Sequence, residues 1–319
     1  MIPVARVHEA RERINTLVAT TPITQDPKLN IFYKWENHQV TGSFKLRGAT
    51  NKVFSLNNNA LDQGLVTCSA GNHGQGVAVA AANKGSRCIV YASEHASQVK
   101  VDAMKKLCAD VRLVRGGYVE AERTAQQEAL STGKTFVSPY NDELVIAGQG
   151  TIGLEAVEQL AGLTEIDALL VPVGGGGLIS GLGTFLSSLK VRPRIIGVQS
   201  EASSFAYHLF YTGSQQEVVE VDSIAEGLAG EIDHESITIE LMQKYLDDVI
   251  LVSEEEIREA IRYAWHHYHE IIEGSAAVGL AARLAGKIQL HSALAIITGG
   301  NIQPELLDEI IHQNLSSDE

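Results

Sequence analysis

Lys45 lies in the run VTGSFKLRGA, where Phe44 and Leu46 place apolar groups on both sides of it. On sequence position alone, a lysine in such a run is most often a solvated surface residue. Its neighbours change this expectation, because desolvation lowers the pKa of an amine toward the range in which it forms an imine or accepts a proton. Lys45 is therefore a candidate for imine or proton-transfer chemistry.

Four consecutive glycines, Gly174 to Gly177, follow the apolar run DALLVPV and precede a predicted helix that begins near Leu178. Backbone N–H groups at a helix N-terminus bind phosphate well, although a tight turn without a ligand has the same pattern. The G-x-G-x-x-G spacing of dinucleotide folds fails, because its last position falls on Ile179 or Ser180, and the P-loop lysine is missing. The loop therefore favours a monophosphate.

The run SAGNHGQG, from Ser69 to Gly76, indicates a turn from a strand into a helix. Ser69, Asn72 and several backbone amides at such a helix N-terminus suit a carboxylate, and a capped helix after a glycine turn is the alternative. His73 has the residue type of a general base, but a single loop histidine is more often a structural group. The loop is therefore a second candidate anion site.

A histidine cluster and the cysteines are the other residues with ligand chemistry. The cluster lacks HExxH spacing and lies on a predicted amphipathic helix, so a solvated helix face is favoured over a metal site. The cysteines form no CxxC pair and are odd in number, so neither a disulfide framework nor a zinc site is indicated. These residues are His266, His267, His269 and Glu270, together with Cys68, Cys88 and Cys108.

Length and charge restrict the class of protein. The chain has 319 residues, of which 45% are hydrophobic and 20% charged, as in a globular protein with one large or two medium domains. A net charge of −14 argues against nucleic acid or an anionic membrane as the main partner. No signal-like N-terminus or membrane-spanning apolar run is present, so we expect a cytoplasmic enzyme.

Apolar runs alternate with helical patterns from Gly64 onward. GLVTCS, SRCIVYA, DVRLV and TFVSP form a first series of predicted strands, and DALLVPV, RIIGVQS, DVILV and SALAIIT form a second. Short apolar strands interleaved with helices predict parallel sheets that are covered on both faces. Two such series predict an α/β fold of two lobes with a cleft between them.

One ordered set of motifs covers most of the chain. TGSFKLRGA, SAGNHGQG, VIAGQGTIGLE, VPVGGGGL, IAEGLA, EGSAAVGLAA and TGGN follow each other between about Thr20 and Asn301. This set closely resembles the pyridoxal-phosphate enzymes of the tryptophan-synthase-β-like fold (fold type II), specifically the threonine/serine dehydratase and serine racemase branch. The resemblance implies two lobes of open, mostly parallel twisted sheet flanked by helices, with the cofactor in the cleft. It also implies a large cofactor-binding domain of residues 1–63 and 142–319 and a small mobile domain of residues 64–141.

The resemblance further implies roles at the matching positions. Lys45 would hold pyridoxal 5′-phosphate covalently as an imine, Phe44 would flank its ring, and Asn72 would bond its 3′-oxygen. Thr298 would face the pyridine nitrogen, and the phosphate would lie on Gly174, Gly175, Gly176, Gly177 and Leu178. The substrate carboxylate would lie on Ser69, Ala70, Gly71, Asn72 and His73, with Tyr140 lining the substrate pocket.

The reaction implied is β-elimination from a small 3-hydroxy amino acid. A hydroxyl at Thr298 cannot keep the pyridine nitrogen protonated as a carboxylate would, so the ring is a weaker electron sink and prompt elimination is favoured. Freed Lys45 would take the Cα proton and the β-hydroxyl would leave, giving a 2-oxo acid and ammonia. L-Threonine and L-serine are the expected substrates.

Other functions stay open at this point. A dehydratase for 3-hydroxyaspartate or a 3-phenylserine-type substrate is one, since Tyr140 could stack on an aromatic side chain or merely fill space. Serine racemase is another, disfavoured because racemases of the branch carry a second serine where this chain has Ala70. A catalytically silent ligand sensor is a third, and it need not have kept Lys45.

Metal and partner expectations also follow from the resemblance. The acidic positions that bind a metal in some members read here as Gln199, Ser203 and Phe205, so no divalent-cation requirement is expected. A hydroxy amino acid is the expected small-molecule partner, and a homodimer or higher homo-oligomer is the expected assembly.

Overall fold

The computed structural model describes residues 1–69, 71–96, 98–107 and 109–312, except for the side chains of residues 98 and 99. Ten strands lie in this part of the chain. They are β1 (Ile23–Asp26), β2 (Ile31–Trp35), β3 (Leu65–Cys68), β4 (Cys88–Ser93), β5 (Asp110–Val114), β6 (Thr135–Phe136), β7 (Ala168–Pro172), β8 (Arg194–Ser200), β9 (Asp248–Val252) and β10 (Ala293–Ile297).

Thirteen α-helices connect and cover these strands in the described residues. They are α1 (Ala5–Ile14), α2 (Lys45–Phe54), α3 (Asn58–Gln63), α4 (Asn72–Asn83), α5 (Gln98–Lys106), α6 (Tyr118–Thr132), α7 (Glu143–Gln159), α8 (Gly177–Leu186), α9 (Phe205–Thr212), α10 (Ile237–Tyr245), α11 (Glu254–Tyr268), α12 (Gly274–Leu284) and α13 (Pro304–His312). None of them is long and apolar enough to cross a membrane, within the part of the chain that the structure describes.

The strands form two sheets. The large lobe contains a six-stranded sheet in the order β1, β2, β10, β7, β8, β9, in which only the β1–β2 pair is antiparallel. The small lobe contains a parallel four-stranded sheet in the order β5, β4, β3, β6. The predicted α/β architecture of two mostly parallel sheets is therefore confirmed.

Burial explains why the strand sequences are continuously apolar. All residues of β7 and of β10 are buried, because helices cover both faces of the large sheet. The apolar side chains of this lobe form two clusters, one on each face, and a further cluster fills the space between the small sheet and helices α2 and α4. Each sheet therefore has a core of its own.

Glycines allow helices α2, α7 and α8 to cross closely. A Cβ atom on Gly148 would lie 2.6 Å from the Cα of Gly48, and one on Gly181 would lie 2.3 Å from the carbonyl oxygen of Ile146. No side chain fits at such distances, so the backbones of these helices touch directly. This contact fixes α2, which begins with Lys45, against α7.

A buried ionic network fixes α2 against the large sheet as well. Arg47 donates from Nε to Glu36 over 2.7 Å and from Nη1 to Glu155 over 2.8 Å, and Lys34 donates to Glu155 over 2.9 Å. All four side chains are completely inaccessible to solvent. Because loss of one partner would leave an unpaired buried charge, the network holds α2 in one position relative to β2 and α7.

The sequence pattern placed most elements correctly. The strand expected at TFVSP is shorter, Thr135–Phe136, and the antiparallel pair β1–β2 was not predicted. Strand β2 lies beside β10 near the edge of the large sheet. The first 40 residues thus contribute strands to a sheet whose other strands come from the second half of the chain.

Candidate active site

Lys45 is the first residue of α2 and lies half-buried between the two lobes. Its Nζ donates to the carbonyl oxygen of Pro139 over 3.1 Å and lies 5.3 Å from the centre of the Phe44 ring. Burial lowers the pKa of the Lys45 amine to about 8, although the Glu273 carboxylate opposes the shift. A substantial neutral fraction at neutral to mildly alkaline pH makes the amine a usable nucleophile and base.

Residues 42–44 pair with residues 298–300 beside Lys45. The N–H of Phe44 donates to the carbonyl oxygen of Thr298 over 3.0 Å, and the middle residues of the two segments form an isolated antiparallel bridge. The side chain of Thr298 is buried at the end of β10. The structure thus brings Phe44, Lys45 and Thr298 together, although Lys45 and Thr298 are 253 positions apart in the chain.

Asn72 lies in the middle of a hydrogen-bonded chain of three side chains. Asn301 donates from Nδ2 to Oδ1 of Asn72 over 2.6 Å, and Asn72 donates from Nδ2 to Oε1 of Glu273 over 2.7 Å. Asn301 also donates to the carbonyl oxygen of Thr41 over 3.0 Å. The Asn72 amide therefore has a fixed orientation, and its second N–H hydrogen can reach a further acceptor.

Glu273 is the main anionic group beside Lys45. Burial raises the pKa of Glu273 to about 7, although the hydrogen bond from Asn72 opposes the shift. Its Oε1 would lie 2.8 Å from a Cβ atom on Gly299, so a larger residue there would displace the Glu273 carboxylate. Glu273 belongs to the motif EGSAAVGLAA, but no role was predicted for it from the sequence.

The glycine loop forms a cradle of backbone groups before α8. Thr238 donates from Oγ1 to the carbonyl oxygen of Gly175 over 2.7 Å. Because the peptide is planar and trans, the N–H of Gly176 points away from this oxygen and from Thr238. Gly176 has φ +80°, and a Cβ there would lie 2.6 Å from the sulfur of Met242. The N–H groups of Gly177 and Leu178 lie in the first helical turn, where the helix offers no acceptor. A phosphate fits this arrangement.

Tyr140 covers the glycine loop. A Cβ atom on Gly175 would lie 2.6 Å from Cγ of its ring, and a Cβ atom on Gly177 would lie 3.0 Å from its Cβ. Its hydroxyl accepts the N–H of Asp233 over 3.3 Å. Tyr140 follows Pro139, the partner of the Lys45 amine, so its ring borders both the glycine loop and the space beside Lys45.

The loop before α4 faces the same cleft. The hydroxyl of Ser69 accepts the N–H of Gly71 over 3.1 Å, which leaves its hydrogen able to bond another acceptor. His73 is buried, with Nε2 within 3.0 Å of the Val137 carbonyl oxygen, and burial lowers the pKa of its ring to about 3. Such an imidazole is a poor general base, so His73 could serve an anion only through its backbone N–H. Ala70 lies outside the described residues.

An ion pair closes one side of the cleft. Lys100, on α5 of the small lobe, donates to the carboxylate of Glu226 in a 3-10 turn of the large lobe. Leu228 lies in the same turn and packs against the glycine loop. A Cβ atom on Gly174 would lie 3.0 Å from the Cα of Leu228. The ion pair therefore connects the small lobe to the turn that packs against the glycine loop.

Two of the residues that stand where some members of the branch carry acidic metal ligands make hydrogen bonds within the protein. Gln199 accepts the N–H of Tyr207 over 3.1 Å, and the hydroxyl of Ser203 donates to Glu220 over 2.8 Å. Across the described part of the chain, no group of three or more His, Cys, Asp and Glu side chains has the arrangement of a metal site. The histidine cluster is also engaged: the ring of His267 stacks on Tyr263 with centroids 4.0 Å apart, and His38 bonds Glu270 over 2.7 Å. Cys68 and Cys88 are buried free thiols, and Cys108 lies outside the described residues.

The site as a whole suits an anionic aldehyde cofactor. It offers an amine with a lowered pKa, a backbone cradle for a phosphate, a flanking aromatic ring and an oriented amide donor. Residues 12–299 match the family described as pyridoxal-phosphate dependent enzymes. The chain belongs to this family. The residues present therefore fit pyridoxal 5′-phosphate, which is the cofactor of the family.

Individual members of the family resemble the chain over nearly its whole length. The L-threonine ammonia-lyase of Thermotoga maritima is 37% identical, over 99% of this chain and 79% of that protein. The structure of serine racemase from Dictyostelium discoideum is 33% identical with a TM-score of 0.85, and covers 95% of this chain and 99% of that one. The structure of threonine deaminase isoform 2 from Solanum lycopersicum is 32% identical with a TM-score of 0.87, and covers 96% of this chain and 86% of that one. The two solved structures share the fold of this chain, as expected from the motif set.

Proposed function

We propose that the chain catalyses the β-elimination of water from a small 3-hydroxy amino acid, L-threonine or L-serine, and releases a 2-oxo acid and ammonia. The observation that carries this proposal is the half-buried amine of Lys45 with its pKa of about 8. Relatives named for threonine ammonia-lyase and threonine deaminase activity support the choice of substrate.

The side chains and backbone groups of the site divide the work of this reaction. We assign the phosphate of the cofactor to Gly174–Leu178, its ring to the space beside Phe44 and its 3′-oxygen to the free N–H of Asn72. We assign the pyridine nitrogen to Thr298, a neutral hydrogen-bonding partner. When bound, pyridoxal 5′-phosphate supplies an electron sink for negative charge at Cα.

The remaining groups act on the substrate. The first turn of α4, with the hydroxyl of Ser69 and the backbone N–H groups of Gly71, Asn72 and His73, would orient the substrate carboxylate. The neutral Lys45 amine would accept the Cα proton, since its lowered pKa leaves it partly unprotonated at neutral pH. The ring of Tyr140 would exclude water from the substrate side of the cleft.

The proposal also includes the bounds of the two domains and the oligomeric state. We assign residues 1–63 and 142–319 to a cofactor-binding domain and residues 64–141 to a small domain that moves when substrate binds. The ion pair of Lys100 and Glu226 would then form and break with cleft closure. We further propose a cytoplasmic homodimer or higher homo-oligomer.

Turnover of hydroxy amino acids by the purified protein with pyridoxal 5′-phosphate tests the function. Formation of 2-oxobutanoate from L-threonine, or of pyruvate from L-serine, together with equal amounts of ammonia, is the expected result. Lys45→Ala should lose at least a thousandfold in kcat. Turnover of neither substrate, or retention of a tenth of the wild-type rate in Lys45→Ala, would contradict the proposal.

Serine racemase is the second candidate, favoured by the similarity to the racemase of Dictyostelium discoideum. We rank it below dehydration because alanine at position 70 offers no acid or base to the second face of Cα. Chiral chromatography of the L-serine reaction separates the two candidates. Negligible D-serine is expected beside pyruvate, and D-serine as the main product would establish racemisation instead.

A further inference from the structure

We propose that Thr238 is a positioning residue for the cofactor phosphate. Its hydroxyl fixes the peptide between Gly175 and Gly176 so that an N–H, and not a carbonyl oxygen, is presented to the phosphate. It thereby sets the preference of the apoprotein for pyridoxal 5′-phosphate over unphosphorylated pyridoxal. This inference rests on the proposed function, because it specifies how the phosphate site that we assign to Gly174–Leu178 is held in shape.

Thr238 lies on the face of α10 that packs against the glycine loop and α8. Four residues later, the sulfur of Met242 lies 2.6 Å from where a Cβ atom on Gly176 would be, and Cγ of Tyr245 lies 2.3 Å from where one on Gly183 would be. Positions i, i+4 and i+7 share one side of a helix, so the three residues form one contact surface. Thr238 is completely buried in it. The packing of α10 therefore sets where the Thr238 hydroxyl lies relative to the glycine loop.

The hydrogen bonds around Thr238 fix the position of its single hydroxyl hydrogen. Its Oγ1 lies 2.7 Å from the carbonyl oxygen of Gly175 and 2.7 Å from Oγ of Ser236. A carbonyl oxygen can only accept, so Thr238 donates to Gly175 and Ser236 donates to Thr238. Ser236 is itself buried, and its Oγ accepts the N–H of Thr238 over 3.3 Å. Ser236 therefore keeps the Thr238 hydroxyl oriented as a donor to the glycine loop.

The bond from Thr238 to Gly175 differs from the usual bond of a helical threonine. Such a threonine commonly donates to the carbonyl oxygen three or four residues earlier, as Thr184 of α8 does to Ser180 over 2.7 Å. Thr238, in the first turn of α10, instead donates to a carbonyl oxygen 63 residues earlier in the chain. A valine would fill nearly the same space in the contact between the helices, so packing alone does not require a hydroxyl at this position.

The peptide between Gly175 and Gly176 is not held in one orientation by the two residues that it joins. Glycine accepts both signs of φ, so these residues also allow the peptide plane to rotate by about 180°. Gly176 has φ +80°, and the rotated peptide would give it a negative φ, which all residues adopt. The carbonyl oxygen of Gly175 would then replace the N–H of Gly176 and repel a phosphate. The bond from Thr238 holds this oxygen on the side of α10 and keeps the N–H available.

Comparison of pyridoxal 5′-phosphate with pyridoxal tests this inference, because the two aldehydes differ only in the phosphate. Equilibrium dialysis of the apoprotein against each of them gives the ratio of their dissociation constants. Thr238→Val should weaken binding of pyridoxal 5′-phosphate about ten- to hundredfold, which is the effect of one hydrogen bond to a charged group. Binding of pyridoxal should change by less than about twofold. Thr238→Ser keeps the hydroxyl, so it should bind both aldehydes within about threefold of the wild type.

Thr184→Val is the matched control, because it removes a buried threonine hydroxyl that bonds within its own helix, directly after the glycine loop. It should keep the wild-type ratio of the two dissociation constants. If Thr238→Val is insoluble, Thr238→Ala removes the same hydroxyl, leaves space in the contact with α8 and should show the same selective loss. An unchanged ratio in the Thr238 variants, an equal loss for both aldehydes, or the same reduction in Thr184→Val would overturn the inference. A loss in Thr238→Ser as large as that in Thr238→Val would also overturn it.

Cofactor binding and substrate turnover are separate measurements, so the inference and the proposed function can fail independently. If the wild type converts L-threonine to 2-oxobutanoate but Thr238→Val keeps the wild-type ratio, the positioning role is wrong and the function stands. If the wild type at saturating cofactor converts neither L-threonine nor L-serine but Thr238→Val selectively loses affinity for the phosphorylated aldehyde, the function is refuted and the positioning role stands.

Discussion

Asn72 donates a hydrogen bond to Glu273 over 2.7 Å, and this bond joins the first turn of α4 in the small lobe to the start of α12 in the large lobe. Since Asn301 fixes the other end of the same amide, Asn72 cannot rotate without breaking a contact with the large lobe. Glu273 is therefore a positioning residue for Asn72, and its protonation state decides how strong an acceptor it is.

Glu273→Gln should change the pH dependence of stability. Burial raises the pKa of Glu273 in the folded protein from 4.5 to about 7, so its contribution to stability is present below pH 4.5 and is lost as the pH rises through about 7. The free energy of unfolding of the wild type should therefore fall relative to that of Glu273→Gln over this range, by at most about 3 kcal/mol. Urea unfolding of both apoproteins at several pH values measures the difference, and parallel curves would contradict the shift.

Lys45 should set the pH dependence of cofactor attachment. With a pKa of about 8, the neutral amine increases about tenfold for each pH unit below 8 and levels off above it. The rate of covalent attachment of pyridoxal 5′-phosphate to apoprotein should follow this curve when monitored by absorbance. Borohydride reduction and mass spectrometry should locate the adduct on Lys45. A midpoint near 10 would mean that the amine is solvated.

Gly176→Ala should weaken cofactor binding at least tenfold. The methyl group would lie 2.6 Å from the sulfur of Met242, at a residue with φ +80°, and would displace the backbone of the phosphate cradle. Gly213→Ala is the matched control, because Gly213 has φ +74° but open space around it. Equilibrium dialysis should show unchanged cofactor affinity in the control, with a loss of stability of about 1–2 kcal/mol from backbone strain alone. Equal cofactor affinities in the two variants would mean that the glycine loop does not bind the cofactor phosphate.

Arg47→Met should destabilise the fold by about 3–5 kcal/mol, since it leaves the buried carboxylate of Glu36 without its cation. Arg192→Met removes the partly exposed pair with Asp247 and should lose about 1 kcal/mol or less. Urea unfolding midpoints of the apoproteins provide the comparison. If Arg47→Met is insoluble, Arg47→Lys keeps one charge and should show an intermediate loss. A loss as small as that of Arg192→Met would mean that the network does not hold α2.

Glu226→Gln should raise the KM for L-threonine about two- to fivefold with little change in kcat, because its pair with Lys100 favours the closed cleft and is partly exposed. The effect should shrink at high salt, where the wild-type pair is screened. Glu201→Gln, which removes a partner 3.5 Å from Lys287 on the large lobe, is the control and should leave KM unchanged. An unchanged KM in Glu226→Gln would show that the pair does not stabilise closure.

The fold could be predicted largely because its strands are short, apolar and separated by helical patterns. Strand β7 and the loop that follows it illustrate this, since a buried parallel strand and a glycine-rich turn each have a local sequence signature. Strands β1 and β2 have no such signature. Residues of β2 include Lys34, a charge that is acceptable only because Glu155, 121 residues later, neutralises it.

The residues of the site also divide into those with a local sequence signature and those without one. Lys45 and the glycine loop could be recognised because the motifs around them are contiguous in sequence. Glu273 was missed because its importance depends on Asn72 and Lys45, which are distant in sequence and meet it only in the folded chain.

The position of β10 has a consequence for how the protein is made. This strand lies between β2 and β7, yet it is synthesised after both of them, and Thr298 directly follows it. Until it is synthesised, the two halves of the large sheet have no common neighbour and residues 42–44 have no partner. The reactive amine therefore acquires its surroundings only after β10 has been synthesised, so a nascent chain that stops before this strand cannot capture a free aldehyde in a formed pocket.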